Sequence, residues 1–275
     1  MDQTKAIFNG KLDNLSNIKI SPLSRAYTFS DSIYEVVPFY NKKPIAFDQH
    51  IDRLQNSAIG INLKIYLNKI SEEIDLLISS SNLESGYVYY QITRGQDKIR
   101  SHMYSENIEV ETFGYVVAHQ FERKTIQVML CEDLRWGRCD IKSTSLLGNV
   151  LNMNEARSQN CDEVIMHKNN LLTEAGASNL FFIKDKKVCT PSLDNNILPG
   201  ITRAMLIKIL SNAGIDVIQS NFTVDDLQLA SSAWLTSSTK GIAPIENIVN
   251  LKNSLDLKDP LFMQCVKLFD DNFFN

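Results

Sequence analysis

The stretch RCDIKSTSLLGNVLNMNEARSQNCDEVIMHKNNLLTEAGASN, residues 138–179, is where the second half of the chain shows its fold and its chemistry together. It contains two short apolar runs, DEVIMHK and LLTE, separated by Asn169-Asn170. Asparagine tolerates positive φ, so the pair predicts a tight hairpin turn. Near the beginning stands Lys142, in a run of apolar and small residues. Glu174 follows 32 positions later, just before the turn-forming string Ala-Gly-Ala-Ser-Asn. A lysine performs covalent chemistry when it is held deprotonated beside a carbonyl, and desolvation is the usual means. A carboxylate on a second element can partner a heterocyclic nitrogen. Each residue also has a plain alternative, a solvated loop lysine and a solvent-facing carboxylate at a strand end.

Outward from that stretch the pattern stays strand-rich. TIQVMLCED opens this half, and SNLFFIKD and KKVCTP follow the hairpin. GITRAMLIKILSNAG puts Met205, Leu206, Ile209, Leu210 and Ala213 on one helical face, with Gly214 as its stop. TVDDLQLA starts at Thr223 with Asp226 three residues on, a variant of the capping box. AWLTSSTKGIAP is a strand running into a turn. DPLFMQCVKLFDDNFF begins with Asp259 as cap and Pro260 at its first position.

Upstream, HQFERK is polar and aperiodic, which places an interdomain loop at 119–124 between a domain of residues 1–118 and one of residues 125–275 that carries Lys142. In the first domain SIYEVVPFYN reads as a strand, in which Pro38 demands an edge or a bulge. FDQHIDRLQNSAIGI is a helix with Ile51, Leu54, Ala58 and Ile61 on one face and Asp48 as N-cap. A second helix is predicted from about Asn68 to Ser80. GYVYYQITRG and IEVETFGYVVAH are two further strands. Strands and helices are mixed throughout, so the fold class is α/β in the broad sense, a mixed α+β chain.

Composition bounds the partners. At 275 residues, 44 % hydrophobic and 22 % charged, the chain has the make-up of an ordinary soluble globular protein. A net charge of -4 and a pI near 5.6 give no reason to expect nucleic acid or an acidic lipid surface. Five scattered cysteines without a CxxC fit a reducing cytoplasm. The four histidines never take metal-ligand spacing, so no metal is expected. No segment has signal-peptide or membrane-spanning character.

Lys142 and Glu174 together fit a pyridoxal phosphate site, the carboxylate keeping the pyridine nitrogen protonated. Such a site also needs an anion cradle. LPGITR places Gly200, Ile201 and Thr202 at a helix N-terminus, where free amides and the macrodipole favour an anion. Ser237 and Ser238 could add donors, and Arg53 a bidentate fork. Tyr34, Arg100 and His102 remain. On an extended segment positions 100 and 102 share a side, a cationic patch able to hold a carboxylate; a polar loop tip is the competing reading.

The chain resembles the fold-type IV pyridoxal phosphate enzymes, and among them the bacterial D-amino acid transaminases. The resemblance runs from about Tyr27 to Ile248, through YEVVPFY, HIDRLQNSA, YQITRG with RSH, RWGRCDIKSTSLLGNV, LTEAGASN, ILPGITR and LTSSTKGIAP in order. It implies a small N-terminal α/β domain and a larger C-terminal one built around a barrel-like β-structure. Lys142 would bind the cofactor aldehyde and move a proton at the substrate Cα, with Glu174 as ring-nitrogen partner. Arg53, Ile201, Thr202, Ser237 and Ser238 match phosphate positions, and Leu198 a residue packing on the ring. Tyr34, Arg100 and His102 match the trap for the substrate carboxylate, the last two reaching in from the partner of a homodimer. The implied reaction is D-alanine plus 2-oxoglutarate giving pyruvate and D-glutamate by ping-pong transfer. Aminodeoxychorismate lyase and branched-chain or R-amine transaminases of the same fold are the alternatives. Two departures stand out. Ala-Gly-Ala-Ser follows Glu174 where close relatives carry a glycine and serines, and Pro38 replaces a longer polar side chain in the substrate-facing strand.

Overall fold

Period-2 alternation in SIYEVVPFY leaves one face of that strand apolar: Ile33, Val37 and Phe39 are fully buried, while Tyr34 and Val36 between them are half-buried. The computed structural model describes residues 4–273 and divides the chain into two compact units. The first contains the described residues up to Gln120 together with Ile141–Ser145, and the second Phe121–Asp140 and the chain from Leu146 onward.

In the first unit the strands are β1 (Lys5–Phe8), β2 (Lys11–Asn14), β3 (Ser32–Tyr40), β4 (Lys43–Pro44), β5 (Ser85–Thr93) and β6 (Glu111–Ala118). They form an antiparallel sheet in the order β2-β1-β6-β5-β3-β4. A short helix α1 (Arg25–Phe29) precedes β3. Helices α2 (Phe47–Gly60) and α3 (Leu67–Ser80) lay Leu54, Ala58, Ile70, Ile74 and Leu77 on the apolar face of the sheet. Pro38 sits in β3 opposite Tyr87 with no break in register. Its carbonyl accepts from the Ile45 amide at 2.8 Å. A strand residue turns its N–H and C=O to the same side, so the missing donor faces the open edge and not β5. Asp48 is not the N-cap of α2. Ala46, at φ 52°, holds that position, and Asp48 lies in the first turn, where its charge still opposes the macrodipole.

The second unit contains β7 (Ile126–Glu132), α4 (Leu147–Ser158), β8 (Glu163–Lys168), β9 (Leu171–Ala175), β10 (Asn179–Lys184), β11 (Lys187–Pro191), α5 (Ile201–Asn212), β12 (Val217–Ser220), α6 (Val224–Gln228), β13 (Ser232–Ser237), β14 (Gly241–Ile248) and α7 (Pro260–Phe273). Its strands form an eight-stranded sheet, β12-β11-β10-β13-β14-β7-β8-β9, with parallel pairing at β11/β12, β14/β7 and β7/β8. Strand β9 ends the sheet, yet it runs through only residues 176–178 into β10, third from the opposite end. The sheet therefore curls back on itself, the barrel-like form expected for this half. Strands β8, β10, β11 and β13 are buried on both faces. Leu180, Phe182, Ala233 and Leu235 fill the inner core, while Phe181 stacks on Trp234 at 5.7 Å, and Phe262 of α7 covers Trp234 at 5.1 Å.

Local signals hold where they were strongest. Asn169 and Asn170 take φ of 52° and 65° in the β8–β9 hairpin. Gly214, at φ 74°, follows the end of α5. Thr223 and Asp226 close a reciprocal capping box on α6. The Asp259 carboxylate accepts the Leu261 and Phe262 amides at the start of α7.

One placement differs from the sequence reading. Ile141–Ser145, expected in the C-terminal domain, packs with the first unit. The Tyr34 amide donates to the Lys142 carbonyl and the Thr144 amide to the Ser32 carbonyl, each at 3.0 Å, and Ser143 bridges Ile33. The segment thus pairs with the edge of β3 that the two-residue β4 leaves open, and Ile141 joins the first core.

Candidate active site

In the first unit Lys142 is half-buried and its amide donates to Ser57 Oγ at 3.1 Å. Its ammonium nitrogen lies 4.2 Å from the centroid of the Tyr34 ring, which itself stacks on Tyr89 at 5.5 Å. Strand pairing of 142–144 with β3 brings these two residues together: Tyr34 stands opposite the lysine backbone, and its side chain meets the amine.

The next residue on β3, Glu35, points to the other face and is fully buried. Arg53 grips it bidentately, Nε to Oε1 at 2.7 Å and Nη2 to Oε2 at 2.8 Å, and His50 Nδ1 lies 2.7 Å from Oε2. Arg53 and His50 are one turn apart on the buried face of α2, so Arg53 is only 8 % exposed. Burial alone would push the Glu35 carboxyl up, but Arg53 and His50 outweigh it and hold it well below the carboxylate range. His50 is held low by burial against the pull of Glu35, with Arg53 and Lys142 adding to the depression. The Nε–Nη2 edge of Arg53 therefore serves Glu35, and this edge is not the fork offered to an anion. Glu35 and His50 were missed by the sequence reading because β3 reads as an ordinary alternating strand. Their only signal is a glutamate and a histidine at apolar-phase positions. Glu35→Ala is expected to cost about 3–5 kcal/mol of stability in urea unfolding, because it leaves a buried guanidinium without its counter-charge. A loss below about 1 kcal/mol would show that the arginine finds another partner.

Arg100 and His102 lie on an exposed loop, not on a strand, yet both reach one ring. The Arg100 guanidinium stands 4.6 Å over Phe29 and the His102 ring 5.3 Å from it. Arg25, buried and paired with Asp31 at 2.8 Å, fixes the loop by donating to the Ser101 carbonyl at 2.7 Å and the His102 carbonyl at 3.3 Å. Tyr34 has different neighbours, so the expected trio appears as a pair on Phe29 and a tyrosine on Lys142.

In the second unit Glu174, on β9, is buried. Arg135 Nη1 donates to its Oε1, and Asn179 Nδ2 donates to Oε2 at 3.0 Å. Asp133 holds Arg135 through Nε at 2.9 Å and Nη2 at 2.7 Å, and Thr173 Oγ1 donates to Asp133 at 2.9 Å. Burial pushes the Glu174 carboxyl up to about 7, against the opposing pull of Arg135.

Asn179 is the hub of this unit. The same amide group donates to the Leu198 carbonyl at 3.0 Å, and in the sheet Asn179 pairs with Thr236, the residue before Ser237. Gly200 caps α5 against it: a Cβ there would fall 1.8 Å from Asn179 Oδ1. The first bond of the helix runs from the Ala204 amide to the Gly200 carbonyl, so the amides of Ile201, Thr202 and Arg203 have no acceptor within the helix. Asn179 thereby ties together Glu174, Leu198 and the start of α5, and its strand partner Thr236 leads directly into Ser237 and Ser238. Arg135 and Asn179 carried no role in the sequence reading, although both stand in quoted motifs. A buried carboxylate requires partners, and an arginine and an asparagine within those motifs were the available signal.

Comparison with known proteins shows the family. The family model of class IV amino-transferases matches residues 32–248. The chain is 36 % identical to a D-alanine aminotransferase of Listeria innocua over 273 residues, 96 % of this chain and 94 % of that protein. It is 33 % identical to one of Staphylococcus epidermidis over 252 residues, 89 % of each. Among solved structures, the branched-chain amino acid aminotransferase of Escherichia coli superposes with a TM-score of 0.90 at 22 % identity, covering 98 % of this chain and 95 % of that one. A 4-amino-4-deoxychorismate lyase from Legionella pneumophila, named as putative in its title, gives 0.83 at 21 %, covering 94 % and 96 %. At such identities the two structures share the fold alone. The two sequence relatives and the family match carry the conclusion that this chain belongs to the class IV aminotransferase family and is an aminotransferase.

Proposed function

We propose that the enzyme is a pyridoxal phosphate-dependent D-amino acid transaminase that converts D-alanine and 2-oxoglutarate to pyruvate and D-glutamate. The observation that carries this reading is the arrangement around Asn179. A buried carboxylate, the Leu198 carbonyl and a helix N-terminus whose first amides have no acceptor within the helix meet there, with a serine pair just beyond the strand partner of Asn179, and this set suits a pyridine nitrogen at one end and a phosphate at the other. The relatives named D-alanine aminotransferase support the choice of substrate.

When bound, pyridoxal phosphate supplies an aldehyde that condenses with amines and a ring that accepts the electron pair left on the substrate carbon. Lys142 would provide the amine for that aldehyde and would move a proton at the substrate Cα through Nζ. Tyr34 limits where that nitrogen can go, since the amine already rests on its ring. Glu174 holds a proton at the ring nitrogen, and Arg135, itself anchored by Asp133, keeps the carboxylate oriented. Thr202, Ile201, Ser237, Ser238 and Arg53 would hold the phosphate, and Leu198 would pack on the ring. Arg100 and His102 bind the substrate carboxylate. Ile99 and Met103, which flank that pair, are 70 % and 86 % exposed. A second copy of the chain would cover this apolar surface and receive the two cations, which supports a homodimer. Among the described residues no helix is long and apolar enough to cross a membrane, and all five cysteines are free. Both fit a cytoplasmic enzyme.

A panel of D- and L-amino acids offered with 2-oxoglutarate tests the reading through the absorbance of the bound cofactor. Turnover confined to D-amino acids is the expected result, and efficient use of L-leucine or aminodeoxychorismate would replace it with one of the alternatives. Arg100→Ala should raise the KM for D-alanine about ten- to a hundredfold while pyridoxal phosphate stays bound, as for losing a charged hydrogen-bond donor. An unchanged KM would remove Arg100 from the carboxylate trap.

A further inference from the structure

Glu163, at the start of β8, is 0 % exposed, and its carboxylate serves two separate loops of the second unit. Oε1 accepts the Ala177 amide at 2.8 Å, and Oε2 accepts the Ser178 hydroxyl at 3.3 Å, which holds the turn that follows Glu174. Oε2 also accepts from the ammonium of Lys240, in the turn after Ser237-Ser238. The backbone amide of Lys240 donates to Ser237 Oγ at 3.2 Å, so lysine and serine share one tight turn. Lys240 is a surface residue, 35 % exposed along its side chain, whose stem carries the charge inward. A carboxylate removed from water persists only when it is paired and hydrogen-bonded, and here the pairing cation comes from the serine loop.

We propose that Lys240 and Glu163 are a positioning pair, which sets the distance between the Ser237-Ser238 loop and the turn carrying Glu174 and thereby fixes how tightly this unit holds a phosphate ester. The inference rests on the pyridoxal phosphate reading and extends it to two residues outside the contact set. Because the ammonium is already engaged by a buried carboxylate, Lys240 acts through the loop and not as a charge on the phosphate. Ser237 and Ser238 are short side chains, so they can meet a phosphate only if their backbone is held in place. The turn after Glu174 is held at Gly176 by Asn149, whose Nδ2 donates to the Gly176 carbonyl at 2.8 Å, while its far end, Ala177 and Ser178, is tied to the Glu163 carboxylate.

The test is titration of apoenzyme with pyridoxal phosphate, with pyridoxal and with inorganic phosphate, read by fluorescence, alongside circular dichroism to confirm folding. Lys240→Met should weaken pyridoxal phosphate and inorganic phosphate about tenfold each, while pyridoxal, which lacks the phosphate, changes by less than about twofold. Lys240→Arg should restore affinity. Glu163→Gln should weaken phosphate as Lys240→Met does. Were Lys240 a direct phosphate ligand, releasing it from Glu163 would tighten binding instead, and that result overturns the proposal. The double variant K240M/E163Q leaves no uncompensated buried charge and decides the matter if Lys240→Met fails to fold. Its binding of phosphate at wild-type strength would make the pair merely structural, and equal weakening of pyridoxal would mean general loosening; either ends the proposal. A wild-type apoenzyme that takes up no pyridoxal phosphate would instead refute the cofactor reading itself.

Discussion

Lys142→Ala is expected to lower transamination of D-alanine by about ten-thousandfold, the upper range for removing a positioned proton-transfer group. The expectation follows from where the amine sits. Main-chain pairing with β3 holds the Lys142 carbonyl on the Tyr34 amide and the Thr144 amide on the Ser32 carbonyl, and the Tyr34 ring lies 4.2 Å from the lysine nitrogen. Of the groups closest to hand, Arg53 and His50 are bound to Glu35, and Ser57 Oγ accepts the Lys142 amide. Fold should survive, because the pairing with β3 is made by the backbone and the apolar anchor is Ile141. Borohydride reduction of the wild-type holoenzyme followed by peptide mapping should place the cofactor label on Lys142. A label on another lysine, or a variant that keeps more than about a hundredth of wild-type turnover, would reassign the nucleophile.

Glu174→Gln should reduce turnover by about a hundred- to a thousandfold, comparable to the loss of a preorganised electrostatic partner. It should also change how the apoenzyme responds to pH. Burial raises the Glu174 carboxyl from its ordinary 4.5 to about 7, so between those values the folded protein holds a proton that the unfolded chain has released. The unfolded state then binds fewer protons, and the stability owed to this residue falls as pH rises through the window. Glutamine cannot titrate. The variant should therefore lose less stability than wild type between about pH 4.5 and pH 7, measured by urea unfolding of both apoenzymes. Parallel curves would mean that Arg135 keeps the carboxylate ionised throughout, with no titration at neutral pH. Glu35 has the opposite sign: its folded value is depressed, so its contribution is present above about 4.5 and lost in acid. Subtracting a Glu35→Gln profile isolates the acid limb, and the neutral limb remains for Glu174.

What could be read from residues alone follows from interactions of short range. Asn169-Asn170 makes a hairpin because asparagine accepts positive φ, and Thr223 with Asp226 caps a helix because the two reach each other's amides across one turn. The apolar runs of β10 and β13 announce a strand buried on both faces without saying which partner lies beside it. Motif order likewise singled out Lys142, Glu174 and the α5 N-terminus as candidates, since each stands in a short motif legible from its own neighbours.

Only the tertiary structure decided which of those residues are neighbours and which groups complete them. Ile141–Ser145 belongs with β3 and not with the strands that follow it, because an open sheet edge more than a hundred residues earlier offers its backbone the hydrogen bonds it needs. Glu35, Arg135, Asn179 and Glu163 acquire meaning only once they are buried. A carboxylate in water is solvated and asks for nothing, whereas the same group in a core must be met by cations and amides that the chain brings from distant positions.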